Sequence, residues 1–365
     1  MSGKLGFIDS FMKEVNKLEG IGTSSAPPRY WYSTGNYVLN KIISGSFNKG
    51  IPQGRITNFA GPSGAGKSFL TANIVREAQK SGAMILIVDT ENALDDEFMT
   101  KIGVNVEDKS KYFYFGVSTI QQAVNVISQF LKGYKQEYNN DPTAPQVLIV
   151  LDSLDMMLTE TELENYEKGI QKGDQGQKNK QLKMMLRTFT QDIKTLNVAM
   201  ICTSQVYKNQ DILNGEGLWI VSDAVKYSAS QIVLLNKLKL KDGSEVKGIR
   251  MKCEGYKTRF TKPFQNVVIE VPYETGMDPY SGLVEMAIGL GLVEKAGSRY
   301  RISGHDETWY QHDVYKVADK ILAAAEATID AFLIVGETTN DEIDAETETE
   351  QETAARRKSK VVSVE

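Results

Sequence analysis

Apolar residues in this chain alternate between short unbroken runs and helical spacings from about residue 55 to residue 272. The runs predict eight strands, at 55–60, 84–89, 112–115, 146–151, 198–203, 231–240, 247–253 and 265–271. Helical segments lie between most of them, an order typical of an α/β fold with a doubly wound, mainly parallel, twisted sheet that binds ligands at its strand carboxyl ends. The sequence KDGS at 241–244 is a hairpin turn signal, so the last three strands are expected to be antiparallel additions.

An amphipathic helix is predicted near the amino terminus, ahead of this α/β core. The apolar residues of LGFIDSFMKEVNKL share one helical face; they are Phe7, Ile8, Phe11, Met12, Val15 and Leu18. A Ser- and Pro-containing linker at 24–28 separates this helix from the core, so it has no obvious partner within its own domain. Packing on the same chain and docking on a neighbouring subunit are both open at this point.

Composition favours a globular protein with one large core and a smaller satellite domain. The chain has 365 residues, of which 41% are hydrophobic and 24% charged. The aliphatic run VLIVL at 147–151 is far shorter than the roughly 18 residues of a membrane helix, and the amino terminus lacks a signal-peptide pattern. The two cysteines, Cys202 and Cys253, lie in predicted strands without metal-ligand spacing. We therefore expect buried thiols, a cytoplasmic setting and no membrane partner.

The negative charge of the chain is concentrated in its last segment. The net charge is −5, and the segment from Glu337 to Glu365 holds nine acidic and four basic residues. Residues 1–336 are consequently neutral, so a nucleic-acid partner would have to bind local basic patches. Few apolar residues occur after 336, and we predict that residues 337–365 form a disordered acidic tail.

A phosphate-binding loop is predicted between the first core strand and the following helix. The segment GPSGAGKS matches the pattern G-x-x-x-x-G-K-[ST] without substitution; it consists of Gly61, Pro62, Ser63, Gly64, Ala65, Gly66, Lys67 and Ser68. The helical spacing after it ends at Gly82, so the order is strand, loop, helix. That order places a helix amino terminus beneath the phosphates. The alternative is a glycine-rich turn that binds no ligand, and such a turn would not require a helix to follow it.

Two carboxylates follow later apolar runs at positions suited to nucleotide hydrolysis. Asp152 ends QVLIVLD, the position at which phosphate-loop NTPases place a carboxylate of the Mg²⁺ shell. Asp89 and Glu91 end another run, and a carboxylate beyond a strand end can orient and deprotonate water. We predict Glu91 as the base; ordinary loop carboxylates are the alternative for Asp152 and Glu91.

Four segments follow one another over about residues 30–300: STGNYVLNKIISGSFNKGIPQGRITNFAGPSGAGKS, LIVDTENALDDEFMTKIGV, VLIVLDS and GMDPYSGLVEMAIGLGLVEKAG. In these segments the chain resembles the RecA-type recombinases, and most of all the UvsX-like strand-exchange proteins of tailed bacteriophages. The resemblance implies an oligomerisation helix and linker at 1–29, a phosphate-loop ATPase core at 30–280 and a small carboxyl-terminal α/β domain at 281–336.

The resemblance implies ATP and Mg²⁺ as cofactors and gives roles to individual residues. Lys67 and Ser68 would bind phosphate and Mg²⁺, with Glu91 and Asp152 in the roles stated above. Asp95 and Phe98 would read and stack on the adenine, and Gln205 would sense the γ-phosphate.

Three more positions match groups that act around the nucleotide at a subunit interface. Lys257 and Arg259 match paired cations that reach across the interface to the neighbour's ATP, and Tyr280 matches a ring beside that nucleotide. Without the resemblance, two cations at i and i+2 would be interpreted as one solvated face of an edge strand.

Two DNA-binding loops are expected, at about 159–178 and 206–222. Long segments of this kind at strand carboxyl ends are usually functional or disordered. The residues expected to contact DNA are Lys180, Lys183, Arg187, Tyr207, Lys208, Asn209, Trp219, Ser222 and Lys226. The sequence departs from the family where Val221-Ser222 replaces a frequent glycine pair, and the carboxylates of the first loop are expected to point away from DNA.

Three functions are compatible with such an ATPase core: a recombinase filament, a hexameric helicase and a nucleotide-gated switch. A helicase would be expected to bring an amino-terminal assembly domain, and a switch would not need two long loops. We therefore expect a filament on single-stranded DNA that performs strand exchange with a homologous duplex. Its partners would be single- and double-stranded DNA, copies of itself, a single-strand-binding protein and a recombination mediator, in the cytoplasm of a bacterial host.

Truncation after Gly336 is predicted to strengthen binding to duplex DNA at low salt. Residues 337–352 include eight acidic and no basic side chains, and a tethered polyanion would compete with DNA for the same basic surface. The gain should shrink as salt screens both competitors. Titration of the full-length and truncated proteins onto one duplex over a salt series measures this. Superimposable plots of log K against log[salt] would show that the tail does not compete.

Overall fold

The chain divides into two compact units, residues 1–286 and residues 287–365. The structure is a computed structural model that describes residues 2–15, 17, 27–138, 141–170, 172, 176–208 and 219–332. The acidic tail predicted at 337–365 lies outside these residues, as do Leu18, Asn209 and most of the second predicted DNA loop.

The described residues contain ten α-helices and fifteen strands. The helices are α1 (Ser2–Val15), α2 (Tyr37–Ser44), α3 (Lys67–Lys80), α4 (Asp96–Ile102), α5 (Ile120–Tyr138), α6 (Glu160–Glu167), α7 (Gln177–Ile193), α8 (Asp223–Ser228), α9 (Leu283–Gly289) and α10 (Val314–Phe332). The strands are β1 (Trp31–Tyr32), β2 (Ile51–Pro52), β3 (Ile56–Ala60), β4 (Met84–Asp89), β5 (Tyr112–Gly116), β6 (Val147–Asp152), β7 (Val198–Ser204), β8 (Tyr207–Lys208), β9 (Trp219–Ile220), β10 (Gln231–Asp242), β11 (Glu245–Lys257), β12 (Asn266–Pro272), β13 (Val293–Ala296), β14 (Arg299–Ile302) and β15 (Thr308–Trp309).

The first unit is built on an eight-stranded sheet in the order β12-β11-β10-β3-β7-β6-β4-β5. All eight predicted strands are present, and the predicted α/β class with a mainly parallel sheet is confirmed. The prediction of three antiparallel additions is wrong for β10, which pairs in parallel with β3. The hairpin signal was correct, since β10 and β11 turn at Gly243 and Ser244, but it specifies only that pair.

The centre of this sheet is buried on both faces. Every residue of β3, β6 and β7 is buried, and so are the last five residues of β4. Strands covered on both sides are expected to be continuous apolar runs, which is why the runs predicted them well. Helices α5 and α7 cover one face, with Leu131 and Phe189 among the side chains in its core. Each such buried side chain contributes about 2 kcal/mol through removal of apolar surface from water.

The first predicted DNA loop is partly helical, which corrects the expectation of an irregular segment. Helix α6 begins with a capping box: Thr159 Oγ1 accepts from the Glu162 N–H at 3.2 Å, and the Glu162 carboxylate accepts from the Thr159 N–H at 2.8 Å. Such a box satisfies two backbone donors that a helix terminus otherwise leaves unpaired. The spacing Thr-x-x-Glu is visible in the sequence and was overlooked because no apolar period follows it.

Helix α1 forms as predicted and exposes the apolar side chains that define its face. Phe7 is 71% exposed, and Ile8, Phe11 and Met12 are exposed as well. The rings of Phe7 and Phe11 stack on each other with centroids 6.2 Å apart, as residues four positions apart on a helix can.

The second unit contains a three-stranded antiparallel sheet, β13-β14-β15, and helix α10. Trp309 is buried and stacks on Tyr300 with ring centroids 5.4 Å apart, while Val317, Ile321 and Ala325 form a buried stripe on α10. Across the described part of the chain, no helix combines the length and the apolar character needed to cross a membrane.

Candidate functional site

The predicted phosphate loop connects the end of β3 to the start of α3. Gly64 and Gly66 have φ angles of +69° and +96°, in the left-handed region that favours glycine. A Cβ on Gly61 would lie 2.5 Å from the Leu235 carbonyl oxygen, so the loop packs closely against β10. The sequence therefore needs glycine at these positions for backbone geometry, independently of any ligand.

Lys67 lies over this loop, at the first position of α3. Its Nζ donates to the carbonyl oxygens of Gly61 at 2.9 Å and Pro62 at 3.2 Å. Burial lowers the pKa of Lys67, and the nearby carboxylates of Asp152 and Glu91 partly oppose that shift. A partly buried cation above backbone amides and a helix amino terminus is a suitable arrangement for a polyphosphate.

Asp152 is a buried carboxylate at the carboxyl end of β6, with 1% of its surface exposed. One oxygen, Oδ1, accepts a hydrogen bond from the Thr203 hydroxyl, whereas Oδ2 has no hydrogen-bond partner. Burial raises the pKa of Asp152, while the Thr203 and Ser68 hydroxyls act in the lowering direction. A buried, unpaired carboxylate oxygen is costly, and a cation near it would remove that cost.

The donor set around Asp152 fits Mg²⁺ held together with a nucleotide. Mg²⁺ usually takes one or two protein oxygens and completes its shell with phosphates and water. Ser68 and Asp152 supply such oxygens from adjacent elements. Among the described residues, no group of three or more His, Cys, Asp or Glu side chains could hold a metal by itself.

The structure separates the two carboxylates that follow β4. Asp89 is buried, and both of its carboxylate oxygens accept hydrogen bonds. Oδ1 accepts from the Glu91 N–H at 2.9 Å, and Oδ2 accepts from the Leu94 N–H at 2.9 Å and from the Tyr114 hydroxyl at 3.1 Å. Glu91 is exposed, and its Oε1 accepts from the hydroxyl of Ser153, the residue after Asp152. Asp89 therefore holds the turn, and Glu91 is left available at the strand ends beside Asp152. Tyr114 was not predicted, because its partner lies on a neighbouring strand.

Gln205 follows β7 and lies at the same edge of the sheet. Gln205 is exposed, and its backbone N–H donates to Asp155 Oδ2 at 2.6 Å. Asp155 also accepts from the Tyr207 hydroxyl at 2.7 Å and is a functional candidate that the sequence did not suggest. Its only sequence signal is a carboxylate three residues after Asp152.

Asp95 and Phe98, predicted to contact adenine, lie at the start of α4. Asp95 is the N-cap, and its Oδ1 accepts from the Phe98 N–H at 2.9 Å. The cap accounts for one carboxylate oxygen and fixes the position of Phe98, which is half-buried. Reading of an adenine amino group would therefore fall to the other oxygen of Asp95.

The predicted pair of interface cations lies away from the phosphate loop. Lys257 is the last residue of β11 and pairs with Ile232 near the start of β10. Ile232 in turn pairs with Asn58, which lies two residues before the end of β3. Because β11 runs antiparallel to β10, the chain that continues to Arg259 moves towards the amino ends of the parallel strands. Strand β11 lies between β10 and β12, so the interpretation as an edge strand is wrong.

The environment of these cations is positive. Burial lowers the pKa of Lys257, and the adjacent Arg259 lowers it further. The pKa of Arg55 is lowered in the same way, by burial and then by Arg259. The Lys257 Nζ donates to the backbone carbonyl of Lys226, while Arg259 is exposed. Such a group of cations is expected to bind an anion from outside this chain.

Tyr280 is held by a second aromatic ring. Its side chain stacks on Tyr37 with ring centroids 5.5 Å apart and an interplanar angle of 24°. Tyr37 is a further residue that sequence reasoning missed, since aromatic contacts between distant segments leave no local pattern. The pair keeps the half-buried Tyr280 ring in one orientation.

The predicted DNA contacts that the structure describes lie on α7, on β8 and β9, and at the start of α8 and within it. Lys180, Lys183 and Arg187 are exposed along α7, and Lys183 Nζ lies 4.7 Å from the centre of the Tyr227 ring on α8. Strands β8 and β9 pair at Tyr207↔Ile220 and Lys208↔Trp219, which brings the two ends of the second loop together. Ser222 precedes α8 as its N-cap without a side-chain hydrogen bond. The side chains of Lys208 and Trp219 and the whole of Asn209 lie outside the described residues.

Lys237 is a cation beside the phosphate loop that the sequence did not single out. Its Nζ lies 2.6 Å from the position that a Cβ on Gly64 would occupy. The residue belongs to the alternating segment LNKLKLKD of β10, where lysines are expected to be solvated. Only the packing of the loop on β10 brings this ammonium to the predicted nucleotide site.

Comparison with known proteins identifies relatives over most of the chain. The RecA N-terminal domain family matches residues 17–278 of the 365 residues. Protein RecA of Thermus aquaticus is 29% identical over 261 residues, which cover 70% of this chain and 72% of that protein. Protein RecA of Pseudomonas putida is 28% identical over 260 residues, 70% of this chain and 68% of the relative. Protein RecA of Thermus thermophilus is 28% identical over 283 residues, 76% and 75% of the two chains.

Lys67→Ala and Glu91→Gln are predicted to fail in different ways. Loss of the Lys67 ammonium should abolish measurable ATP binding, because the phosphates lose their closest predicted cation. Glu91→Gln should retain ATP binding while turnover falls roughly 10²-fold or more, the magnitude of a lost general base. Equilibrium binding of a fluorescent ATP analogue and steady-state ATPase assays distinguish the two defects.

Matched controls for this pair are available on the same elements. Lys80→Ala removes an exposed lysine from the far end of α3, and Glu97→Gln removes an exposed carboxylate that pairs with Lys101 on α4. Both should behave like the wild type. Equal losses of nucleotide binding in Lys67→Ala and Glu91→Gln would contradict the division of roles.

Proposed function

The chain belongs to the RecA family, and from that premise we propose that it is an ATP-dependent DNA recombinase. In this proposal it forms a helical filament on single-stranded DNA and catalyses homologous pairing and strand exchange. The observation that carries the proposal is the separation of its predicted ATP-binding groups. The phosphate loop lies at the carboxyl ends of the parallel strands, and Lys257 and Arg259 lie towards the opposite ends. Two copies of the chain would be needed to complete one site.

We propose that ATP binds through Gly61–Ser68, with Ser68 and Asp152 beside its metal ion. Mg²⁺, when bound, would neutralise charge on the β- and γ-phosphates. Glu91 would orient the attacking water and accept its proton, since it is exposed at the same edge and hydrogen-bonded to Ser153. Gln205, at the end of β7, would sense the γ-phosphate. Asp152 would remain ionised through the cation and the Thr203 hydroxyl.

The remaining groups of the site would come from a neighbouring copy. Arg259 is exposed and Lys257 is half-buried. Burial and then the charge of Arg259 lower the pKa of Lys257, so an incoming polyphosphate would relieve the repulsion between the two cations. Tyr280, supported by Tyr37, would lie beside the same nucleotide. The exposed apolar face of α1 would dock on an adjacent copy and hold the filament together.

DNA would bind along α7 and the second loop. The exposed row of Lys180, Lys183 and Arg187 suits backbone phosphates, and Tyr207 offers an exposed ring for base stacking. Contacts of this kind give affinity without sequence preference and with strong salt dependence. Base pairing between the DNA strands would supply the sequence specificity. We further propose the subtype of phage strand-exchange proteins, with a single-strand-binding protein and a mediator as partners in bacterial cytoplasm.

Electron microscopy with single-stranded DNA and a slowly hydrolysed ATP analogue tests the proposed function. The wild-type protein should form continuous helical filaments that need both DNA and nucleotide. Removal of residues 1–20 should shorten them, because the apolar face of α1 is lost. Closed rings of uniform size would favour a helicase, and particles without higher assembly would favour a switch; either result would overturn the proposal.

Mixing of complementary variants tests whether the cations act between subunits. Lys67→Ala and Lys257→Ala should each be inactive alone, but their mixture should recover part of the ATPase activity. In a mixed filament, an intact phosphate loop from one variant meets intact cations from the other. In an equimolar mixture with the two variants in random order, about a quarter of the interfaces are complete, so recovery should approach about a quarter of the wild-type rate.

A second mixture provides the control. Lys67→Ala and Glu91→Gln damage the same half of the site, so no interface between them is complete and no recovery is expected. Absence of recovery in the first mixture, with mixed filaments confirmed by labelling, would show that Lys257 acts within its own subunit.

A further inference from the structure

Asp155 occupies a turn between the predicted nucleotide site and the predicted DNA-binding segments. The turn, residues 154–156, follows β6 directly and precedes α6. It is anchored to β7 by the Leu154 N–H, which donates to the Thr203 carbonyl at 3.0 Å. Thr203 in turn donates its hydroxyl to Asp152. The position of Asp155 is therefore fixed relative to the buried carboxylate three residues earlier.

Three hydrogen bonds link Asp155 to the end of the first predicted DNA loop and to the start of the second. Its Oδ2 accepts from the Gln205 N–H at 2.6 Å, and its Oδ1 accepts from the Tyr207 hydroxyl at 2.7 Å. Its backbone carbonyl accepts from Lys178 Nζ at 2.5 Å, in the first turn of α7. Short hydrogen bonds to an ionised carboxylate are the stronger class in proteins. One residue thus holds the start of the second loop and the helix that leaves the first.

The same carboxylate acts on the phosphate loop through its charge. Asp155 is one of the three acidic residues that oppose the burial-induced lowering of the pKa of Lys67. A nucleotide phosphate beside Lys67 would add negative charge close to this carboxylate and would draw the γ-phosphate sensor, Gln205, towards itself. A shift of the Gln205 backbone towards the phosphate would lengthen the bond from its N–H to Asp155, which is 2.6 Å at present.

We propose that Asp155 is a positioning residue that couples the nucleotide site to the second DNA-binding segment. One arrangement keeps Gln205 and Tyr207 on the Asp155 carboxylate, and nucleotide favours a second arrangement in which Gln205 turns to the phosphate and β8 is released to meet DNA. The two arrangements form the bistable element that coupling between distant sites requires. The inference rests on the proposed function, because it assigns the route by which ATP and DNA affect each other in that site.

Variants of Asp155 and Tyr207 test the coupling between the nucleotide site and the second DNA-binding segment. At saturating ATP and saturating single-stranded DNA, Asp155→Ala should reduce the ratio of DNA-stimulated to DNA-free ATPase about fivefold or more, as expected for loss of charge-assisted bonds. The KM for ATP should stay within about twofold of wild type, because the phosphate loop is intact. Tyr207→Phe keeps a ring for stacking and removes only the hydroxyl, so its ratio should fall in the same direction by a smaller factor.

The double variant and a matched control make the result specific. Tyr207→Phe should change nothing further in an Asp155→Ala background, because its hydroxyl no longer has that partner. Asp192→Asn removes another partly buried carboxylate, which pairs with Lys135 at 2.5 Å, and should leave the ratio unchanged. Additive effects of Asp155→Ala and Tyr207→Phe would overturn the proposed link between them.

Amide hydrogen exchange separates failure of the coupling from failure of the proposed function. Exchange at Gln205 should be about tenfold faster in Asp155→Ala than in wild type and unchanged in Asp192→Asn, without ATP or DNA present. Faster exchange with an unchanged stimulation ratio would overturn the coupling and leave the proposed function intact. If single-stranded DNA does not change the ATPase rate of the wild-type protein, the proposed function is contradicted, whatever the amide exchange rate of Gln205.

Discussion

Parallel strands of one sheet all end at the same edge, and this polarity determines what the chain can assemble by itself. The predicted phosphate loop, Glu91 and Gln205 follow β3, β4 and β7, and Asp152 ends β6, so the four segments meet at the carboxyl edge. Strand β11 runs in the opposite direction and carries Lys257 towards the amino ends. One chain therefore gathers the groups that we propose to bind phosphate and to activate water, whereas the cations proposed to complete the site lie towards the opposite edge of the sheet.

The electrostatics of the carboxyl edge follow from burial. Asp152 is surrounded by strands that are covered on both faces, so its carboxyl pKa is raised and one oxygen has no hydrogen-bond partner. Lys67 is partly buried nearby, and its pKa is lowered for the same reason. Both groups would gain from a ligand that carries a cation and an anion together, as a magnesium nucleotide does. Asp89 contributes differently, because its hydrogen bonds hold the turn that presents Glu91.

The sequence predicted the features that depend on local pattern and missed those that depend on packing between segments. The buried strands appear as unbroken apolar runs, so they were predicted to within a few residues. The order strand, loop, helix around residues 61–68 was predicted because the motif is continuous in sequence. The prediction that β10 is an antiparallel addition was wrong, because a hairpin signal describes only the pairing of β10 with β11 and not its parallel pairing with β3. Asp155, Tyr114 and Lys237 were missed because their partners lie in other segments of the chain. Helix α6 itself was missed, although its capping box is local.

The central claim is that each ATP site is shared by two copies of the chain, and the dependence of ATPase on protein concentration tests it most directly. Activity per copy should rise with concentration at saturating Mg²⁺ and ATP and reach a plateau, because dilution separates the phosphate loop of one copy from Lys257 and Arg259 of the next. The dilution series should be run without DNA, so that DNA does not hold neighbours together. An activity per copy that stays constant down to concentrations at which light scattering shows only monomers would contradict the shared site.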